Sequence, residues 1–293
     1  MKPGSTFAAI APALFVFLWS TGFIGAKFGL PHAEPLTFLT IRFAIVLTIL
    51  ALAILLTGAE WPRAPALYLH LLLSGVLMHS LYLGGVFSAI KGGLHAGIAA
   101  LIVGVQPLLT ALIVGPLLGE RLSWRQWVGF VLGFGGLVLV LSKAFARGGL
   151  PLPAVAGALI GLVGITCGTL YQKRYVVGVD LWTGSLLQFV AALATCGPYA
   201  LWFESGAVEW TPDFTFALLW LCVVLSLGAI SVLWFLLRHG AASRVASLFY
   251  LVPPATALEA WWLFDETMSA AQVAGIALTA IGVAMINRAV PAR

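Results

Sequence analysis

Charge is what this chain has least of. Asp, Glu, Lys and Arg together make up 9% of its 293 residues, against roughly 25% in a soluble domain. So few charges cannot wet the surface of a globule, which excludes an ordinary water-soluble fold. Cysteine is scarce as well. Cys167, Cys196 and Cys222 each lie inside an apolar run with no paired spacing, so neither a disulfide framework nor a cysteine metal site is expected, and the redox compartment stays open. There is no HExxH pattern and no closely spaced acidic pair in the apolar runs, and the five histidines (His32, His70, His79, His95 and His239) are dispersed. A membrane-embedded enzyme would need such a constellation, so no catalytic residue, metal or cofactor is expected. The basic residues are scattered singly, so a net charge of +5 and a pI near 9.3 offer no face or arm to a nucleic acid.

What is present is apolar. Hydrophobic residues make up 61% of the chain and the mean hydropathy is +1.07, a composition whose solvent is the bilayer. The segment from His95 to Val140 recurs without a gap from Ala241 to Ile286. Pro107 falls on Pro253, Glu120 on Glu266, Ser123 on Ser269, Gln126 on Gln272, Gly129 on Gly275 and Gly136 on Gly282, always 146 positions apart. The same offset places Ser20 on Thr166, Gly22 on Gly168, Lys27 on Lys173, Thr37 on Thr183 and Phe43 on Phe189. Two copies of one unit are therefore expected, 1–146 and 147–293. A span needs about 20 mostly apolar residues. Reading between charged or Pro/Gly-marked breaks gives Ala8–Gly29, Pro35–Thr57, Ala66–Ile90, His95–Gly115 and Trp124–Leu141 in the first copy. The second gives Pro153–Tyr175, Asp180–Phe203, Phe214–Arg238, Ala242–Phe264 and Ala271–Asn287. The N-terminal apolar run reads as an uncleaved first helix, not a signal peptide.

The expected fold is thus an all-α polytopic membrane protein of ten transmembrane helices. With the N-terminus cytoplasmic, ten Lys and Arg fall on inside segments and four outside, which predicts that both termini are cytoplasmic. Five spans per copy is odd, so the second five-helix repeat enters the membrane inverted. Inverted repeats supply two related conformations with a substrate site near the midplane, the organisation of many secondary transporters. A channel would want a ring of like charges or a carbonyl filter assembled by oligomer symmetry. This chain already has symmetry within itself, which also makes a working monomer the expectation.

Several motifs are familiar in combination. Trp19-Ser20-x-Gly22-Phe23 ending in Lys27, Arg42-Phe43, Pro107, and Gly119-Glu120-Arg121-Leu122-Ser123 followed by Gln126 and Gly129 resemble the drug/metabolite transporter superfamily. The second turn, Asp265-Glu266-Thr267-Met268-Ser269, resembles its ten-helix EamA-type branch. The resemblance covers the whole chain, with one departure: Ile165 stands where the first copy has Trp19. It implies export of amino acids, related metabolites or organic cations across a bacterial inner membrane, and the Trp- and Phe-rich character resembles aromatic amino acid exporters. A lipid or polyprenyl-phosphate flippase is the nearest alternative. It would favour a basic cluster deep in the membrane, where only Arg42 is available.

Arg42 is the costliest residue for a bilayer. Its repeat mate is Gln188, and the pair can hydrogen-bond structurally, touch substrate, or, for Arg42, snorkel to headgroups. His79 and Tyr82, three apart in the third run, share a helix face and can line a cavity or form a satisfied core pair. Ser247 and Tyr250 repeat the spacing ahead of Pro253-Pro254. Those prolines, like Pro107 after Gln106, should loosen their helix and mark a moving element. Glu259 can couple protons, meet a substrate amine or snorkel. Trp261 and Trp262 read as an interfacial belt, and Lys27 and Lys173 as anchors or gates. The substrate-binding candidates are therefore His79, Tyr82, Gln188, Tyr250, Arg42, Ser247 and Glu259. Glycines four apart, such as Gly129 with Gly133 and Gly164 with Gly168, should let helices approach closely.

Overall fold

The computed structural model describes residues 6–94, 96–140, 151–264 and 268–288. Helices joined by short turns make up these residues; apart from one isolated bridge between Ala33 and Val208, no strand forms among them. Among the described residues, eight helices are long and apolar enough to cross a membrane, and Trp124–Val140 is a shorter apolar one. In chain order, α1 is Thr6–Gly29, α2 Pro35–Thr57, α3 Pro65–Lys91, α4a Ala96–Val103, α4b Gln106–Leu118, α5 Trp124–Val140, α6 Leu152–Tyr175, α7 Leu181–Phe203, α8 Pro212–His239, α9a Ala242–Leu248, α9b Val252–Phe264 and α10 Ala270–Asn287.

The helix ends follow from local chemistry. Proline opens α2, α3, α4b, α6 and α8 in the first turn, where its missing N–H costs nothing. The repeated Ser-x-x-Gln is a capping box. Ser269 Oγ accepts from Gln272 N while Gln272 Oε1 accepts from Ser269 N, and Ser123 and Gln126 make the same pair at the start of α5. The repeated turn is thus a helix start. Two caps come from another segment. Glu120 accepts from Ala242 N at 2.7 Å and Ser243 Oγ at 2.7 Å, closing α9a. Glu204 accepts from Leu36 N at 2.9 Å and Thr37 Oγ1 at 2.7 Å, closing α2. Each sets a carboxylate at the positive end of a helix.

Without a hydrophobic drive between helices in lipid, small residues decide which pairs pack. On α5 and α10, a Cβ on Gly129 would lie 2.7 Å from Gly282 O, and one on Gly275 2.7 Å from Gly136 O. On α3 and α6, a Cβ on Gly85 would stand 2.4 Å from Gly157 O. Large apolar side chains such as Leu55, Leu201 and Trp202 face outward at 81%, 83% and 80% exposure, as lipid contact requires. The buried core gathers Phe38, Phe43, Phe189 and Phe214 between α2, α3, α7 and α8.

Four of the expected runs are not plain α-helices. The fourth breaks at Gly104 and Val105, and the ninth narrows to a 3-10 turn at Phe249–Leu251, in each case just ahead of the prolines. Positions 104 and 250 are repeat mates. The third and eighth carry wide π-helical turns, Val76–Leu81 and Leu221–Ala229, where a regular helix was expected. Shifted by 146, the first lies within the second.

Candidate functional site

The π turns mark the site. They add backbone to one turn of the helix, re-aim the side chains there, and occur frequently at functional positions. His79 sits on the π turn of α3 with Tyr82 just after it; Ser226 sits on that of α8. A cavity of about 50 Å³ lies between them. Its wall is built by Trp19 and Gly22 from α1, Arg42 from α2, His79 and Tyr82 from α3, Phe189 from α7, and Leu225 and Ser226 from α8.

Arg42 is 3% exposed and His79 1%. The Arg42 Nε donates to Ser226 Oγ at 3.0 Å, while Nη1 has no partner. The Cys222 thiol donates to the Arg42 carbonyl at 3.6 Å. The His79 ring stacks on Phe189 at 4.3 Å between centroids and meets Phe43 edge-on at 6.2 Å, with Nε2 unpartnered. Trp19 lies nearly parallel to Tyr82 at 6.3 Å and donates its indole N–H to the phenol at 3.4 Å. Beside the cavity, Gln188 Nε2 donates to Ser74 Oγ at 2.8 Å and to Gln172 Oε1 at 3.0 Å. One wall is therefore aromatic, and a buried guanidinium and an imidazole carry hydrogen-bonding capacity that no protein group uses. Such groups are costly without a partner and fit a ligand with an anionic end and an apolar body.

The family model described as the EamA-like transporter family matches residues 6–142 and again 152–288. The chain belongs to the EamA-like transporter family. This EamA-type chain is 28% identical over 296 residues to an uncharacterized transporter, YvbV, of Bacillus subtilis, covering 96% of this chain and 92% of that one. It is 25% identical over 281 residues to a protein of Escherichia coli named a probable amino-acid metabolite efflux pump, covering 92% and 91%. A solved crystal structure shares the fold at a TM-score of 0.80 and 22% identity, covering 95% of both chains. The protein is thus a multi-pass membrane transporter, and its family points away from an enzyme.

The EamA-type fold brings only some of the sequence candidates together. Arg42, His79 and Tyr82 line one cavity, with Gln188 directly behind. Neither Tyr250 nor Ser247 is among its lining residues. Tyr250 is fully buried against Gly133 of α5, its hydroxyl unpartnered. Ser247 accepts from Asn287 Nδ2 at 2.9 Å and donates to Arg244 O at 2.7 Å, tying α9a to α10. Glu259 accepts from Ser20 Oγ at 2.5 Å, joining α9b to α1 outside the cavity wall. Pro107, and Pro253 with Pro254, stand in the first turns of α4b and α9b. Lys173 Nζ donates to Leu237 O and to Gly240 O, clamping the end of α8. Lys27 lies on α1, its side chain outside the described residues. Trp261 and Trp262 are 50% and 76% exposed near the end of α9b.

Sequence reasoning missed Ser226, quoted Trp19 and Phe43 only as parts of motifs, and met Phe189 only as the repeat mate of Phe43. Ser226 carried a faint signal: it is the repeat mate of Ser80, so both copies place a hydroxyl at this position. Outside the spans, the hydroxyl and backbone N–H of Ser205 hold the Glu34 carboxyl below its ordinary range.

Proposed function

We propose that this transporter is a secondary exporter of amino acids, aromatic or hydrophobic ones in particular, or of related small metabolites. It works by alternating access in a bacterial inner membrane. The observation that carries the reading is the buried Arg42 guanidinium in a cavity walled by both halves of the chain: its Nη1 lacks an acceptor, and none of the described ion pairs supplies one. A substrate carboxylate would satisfy it through a charge-assisted hydrogen bond. His79 Nε2 would meet a second polar group, while Trp19, Tyr82 and Phe189 would shelter the apolar body. A cavity of about 50 Å³ holds about four waters, so loading an amino acid requires α1 and α8 to part. Leu225 packs over Gly22 and Leu221 over Gly25, and the Trp220 indole N–H donates to Thr21 Oγ1 at 3.1 Å, a hydrogen bond between the two helices that this parting must open.

Alternating access follows from the inverted-repeat reading: ten spans, the eight long helices plus α5 and the interrupted α9a–α9b, divided at 1–146 and 147–293. Supporting it, Gly129 packs on Gly282 and Gly275 on Gly136; each contact becomes the other when every residue is exchanged for its repeat mate. The same exchange turns Gly22 against Leu225 on α1 and α8 into Gly168 against His79 on α6 and α3, and the contact found there is one residue away, Gly168 against Met78. The mates of the cavity residues Arg42 and Ala26 are Gln188 and Gln172, and these are bonded together. In this reading the cavity is the outward half of the path, Gln188, Gln172 and Ser74 seal the inward half, both termini are cytoplasmic, and the monomer suffices.

Counterflow in liposomes tests the site. Wild-type protein should exchange L-phenylalanine and ignore phenethylamine, which lacks the carboxylate. Arg42→Gln should lower phenylalanine exchange about 10-fold or more, the worth of one charge-assisted bond, and His79→Ala should lower it too. Wild-type rates in Arg42→Gln would overturn the assignment. Preference for the amine would favour an organic-cation exporter.

A further inference from the structure

A second cavity, of about 320 Å³, opens where α4b ends and α5 begins. Its wall joins the Glu120–Ser123 turn, the start of α9a and the end of α10, and three arginines, Arg121, Arg244 and Arg288, surround it. The other polar side chains there are engaged. Glu120 accepts from Ala242 N, Ser243 N and Ser243 Oγ. Gln126 Oε1 accepts from Ser123 N and Ser123 Oγ, and its Nε2 donates to Ile286 O. Among the described residues, none of the three guanidinium groups enters an ion pair. Three planar forks of donors thus converge on one hollow with a single carboxylate whose oxygens are already taken.

The hollow stands at a definable depth. Trp124 and Trp127, on the first turn of α5 beside it, are 70% and 37% exposed, with the Arg125 guanidinium 6.0 Å from the Trp124 ring. Tryptophan exposed at the end of a spanning helix marks the headgroup layer. Below it, Val128 and Val131 continue the exposed apolar flank of α5 at 37% and 63%. In the sequence the repeat mates of Arg121, Arg244 and Arg288 are Thr267, Ile98 and Ser142, none of them basic. The three arginines were therefore not simply copied with the unit.

We infer that this cup binds the headgroup of an anionic phospholipid. The three guanidinium groups surround its phosphodiester, as arginine does wherever phosphate is held, and the acyl chains run along Val128 and Val131. Basic hollows between transmembrane helices bind anionic headgroups for this reason. A lipid held here ties the 120–126 turn of the first copy to the 241–244 and 286–288 segments of the second.

The test uses the full chain purified in a neutral detergent, with native mass spectrometry and thermal melting as readouts. Phosphatidylglycerol should bind and raise the melting temperature; phosphatidylcholine and inorganic phosphate at equal concentration should not. Arg121→Gln, Arg244→Gln and Arg288→Gln should each weaken phosphatidylglycerol binding about fivefold, from about 1 kcal/mol per basic residue at an anionic surface. Arg63→Gln, on a loop outside the cup, should leave it unchanged. Single variants carry the test, so a triple variant that fails to fold does not decide it. Equal binding of phosphatidylcholine, an equal effect of free phosphate, or undiminished affinity in all three single variants would each overturn the site.

Discussion

Gly135 and Gly136 are neighbours on α5, and one methyl group added to each is expected to move stability in opposite directions. At Gly135 a Cβ would meet nothing nearer than Leu278 Cδ2 at 3.9 Å, an ordinary contact. Alanine there restricts the unfolded chain and favours the helix, a gain of about 0.5–1 kcal/mol. At Gly136 the same Cβ would lie 2.4 Å from Thr279 Oγ1, 2.6 Å from Thr279 N and 2.7 Å from Gly275 O. The hydroxyl cannot turn away freely, because it donates to Gly275 O at 2.8 Å, and the other two atoms are backbone. Reaching about 3.4 Å from Gly275 O parts the helices by about 0.7 Å. That separation loosens the whole glycine seam, including Gly129 against Gly282, and dispersion is lost along it. Overpacking of this kind costs about 1–3 kcal/mol. Reversible unfolding in mixed micelles, followed by tryptophan fluorescence, should rank Gly135→Ala at or above wild type and Gly136→Ala below it. Gly282→Ala, whose Cβ meets Gly133 N at 2.5 Å and Gly129 O at 2.6 Å, should fall with Gly136→Ala. If Gly136→Ala were as stable as Gly135→Ala, helix packing through bare backbone would not be what joins α5 to α10.

Two further outcomes test individual bonds. Glu120→Ala should lower stability by about 1–2 kcal/mol, because α9a loses its acceptor for Ala242 N and Ser243 Oγ; an unchanged unfolding midpoint would refute the cap. Ser226→Ala should cost about 1–3 kcal/mol by stranding a buried charged donor. That cost should vanish in an Arg42→Gln background, and a penalty that persists there would show that Ser226 packs and does not serve Arg42.

Much of the helical frame was legible because lipid imposes a long apolar period that few other constraints imitate. The second run was read as Pro35–Thr57 and forms Pro35–Thr57; a proline in the first turn and a glycine at φ 63° after the last mark both ends chemically. The repeated Ser-x-x-Gln became capping boxes for the same reason, since one side-chain pair suffices to start a helix. The breaks at Gly104–Val105 and Phe249–Leu251 were legible through their prolines. What hydropathy could not convey was which apolar residues touch: Trp19 and Phe189 look like their neighbours in runs that are hydrophobic on every side.

The π turns were invisible for a more specific reason. An α-helix and a π turn demand the same backbone region and the same apolar composition, and neither needs a proline or a positive φ; Gly75 and Trp220, at their starts, are ordinary αR residues. The i, i+3 spacing of His79 and Tyr82 therefore suggested, on an incomplete premise, two residues that do line one cavity. The same spacing applied to Ser247 and Tyr250 failed to reach the cavity, because there the chain tightens to a 3-10 turn and the tyrosine packs into Gly133 instead. The first copy widens at the site while the ninth segment narrows beside it. A repeat can thus conserve its helices and capping residues while local turn geometry decides which copy's polar groups reach the cavity. Around the cavity Arg42, His79 and Tyr82 come from the first copy, while the second supplies one polar side chain, Ser226, beside Phe189, Leu221, Leu225 and Ile230.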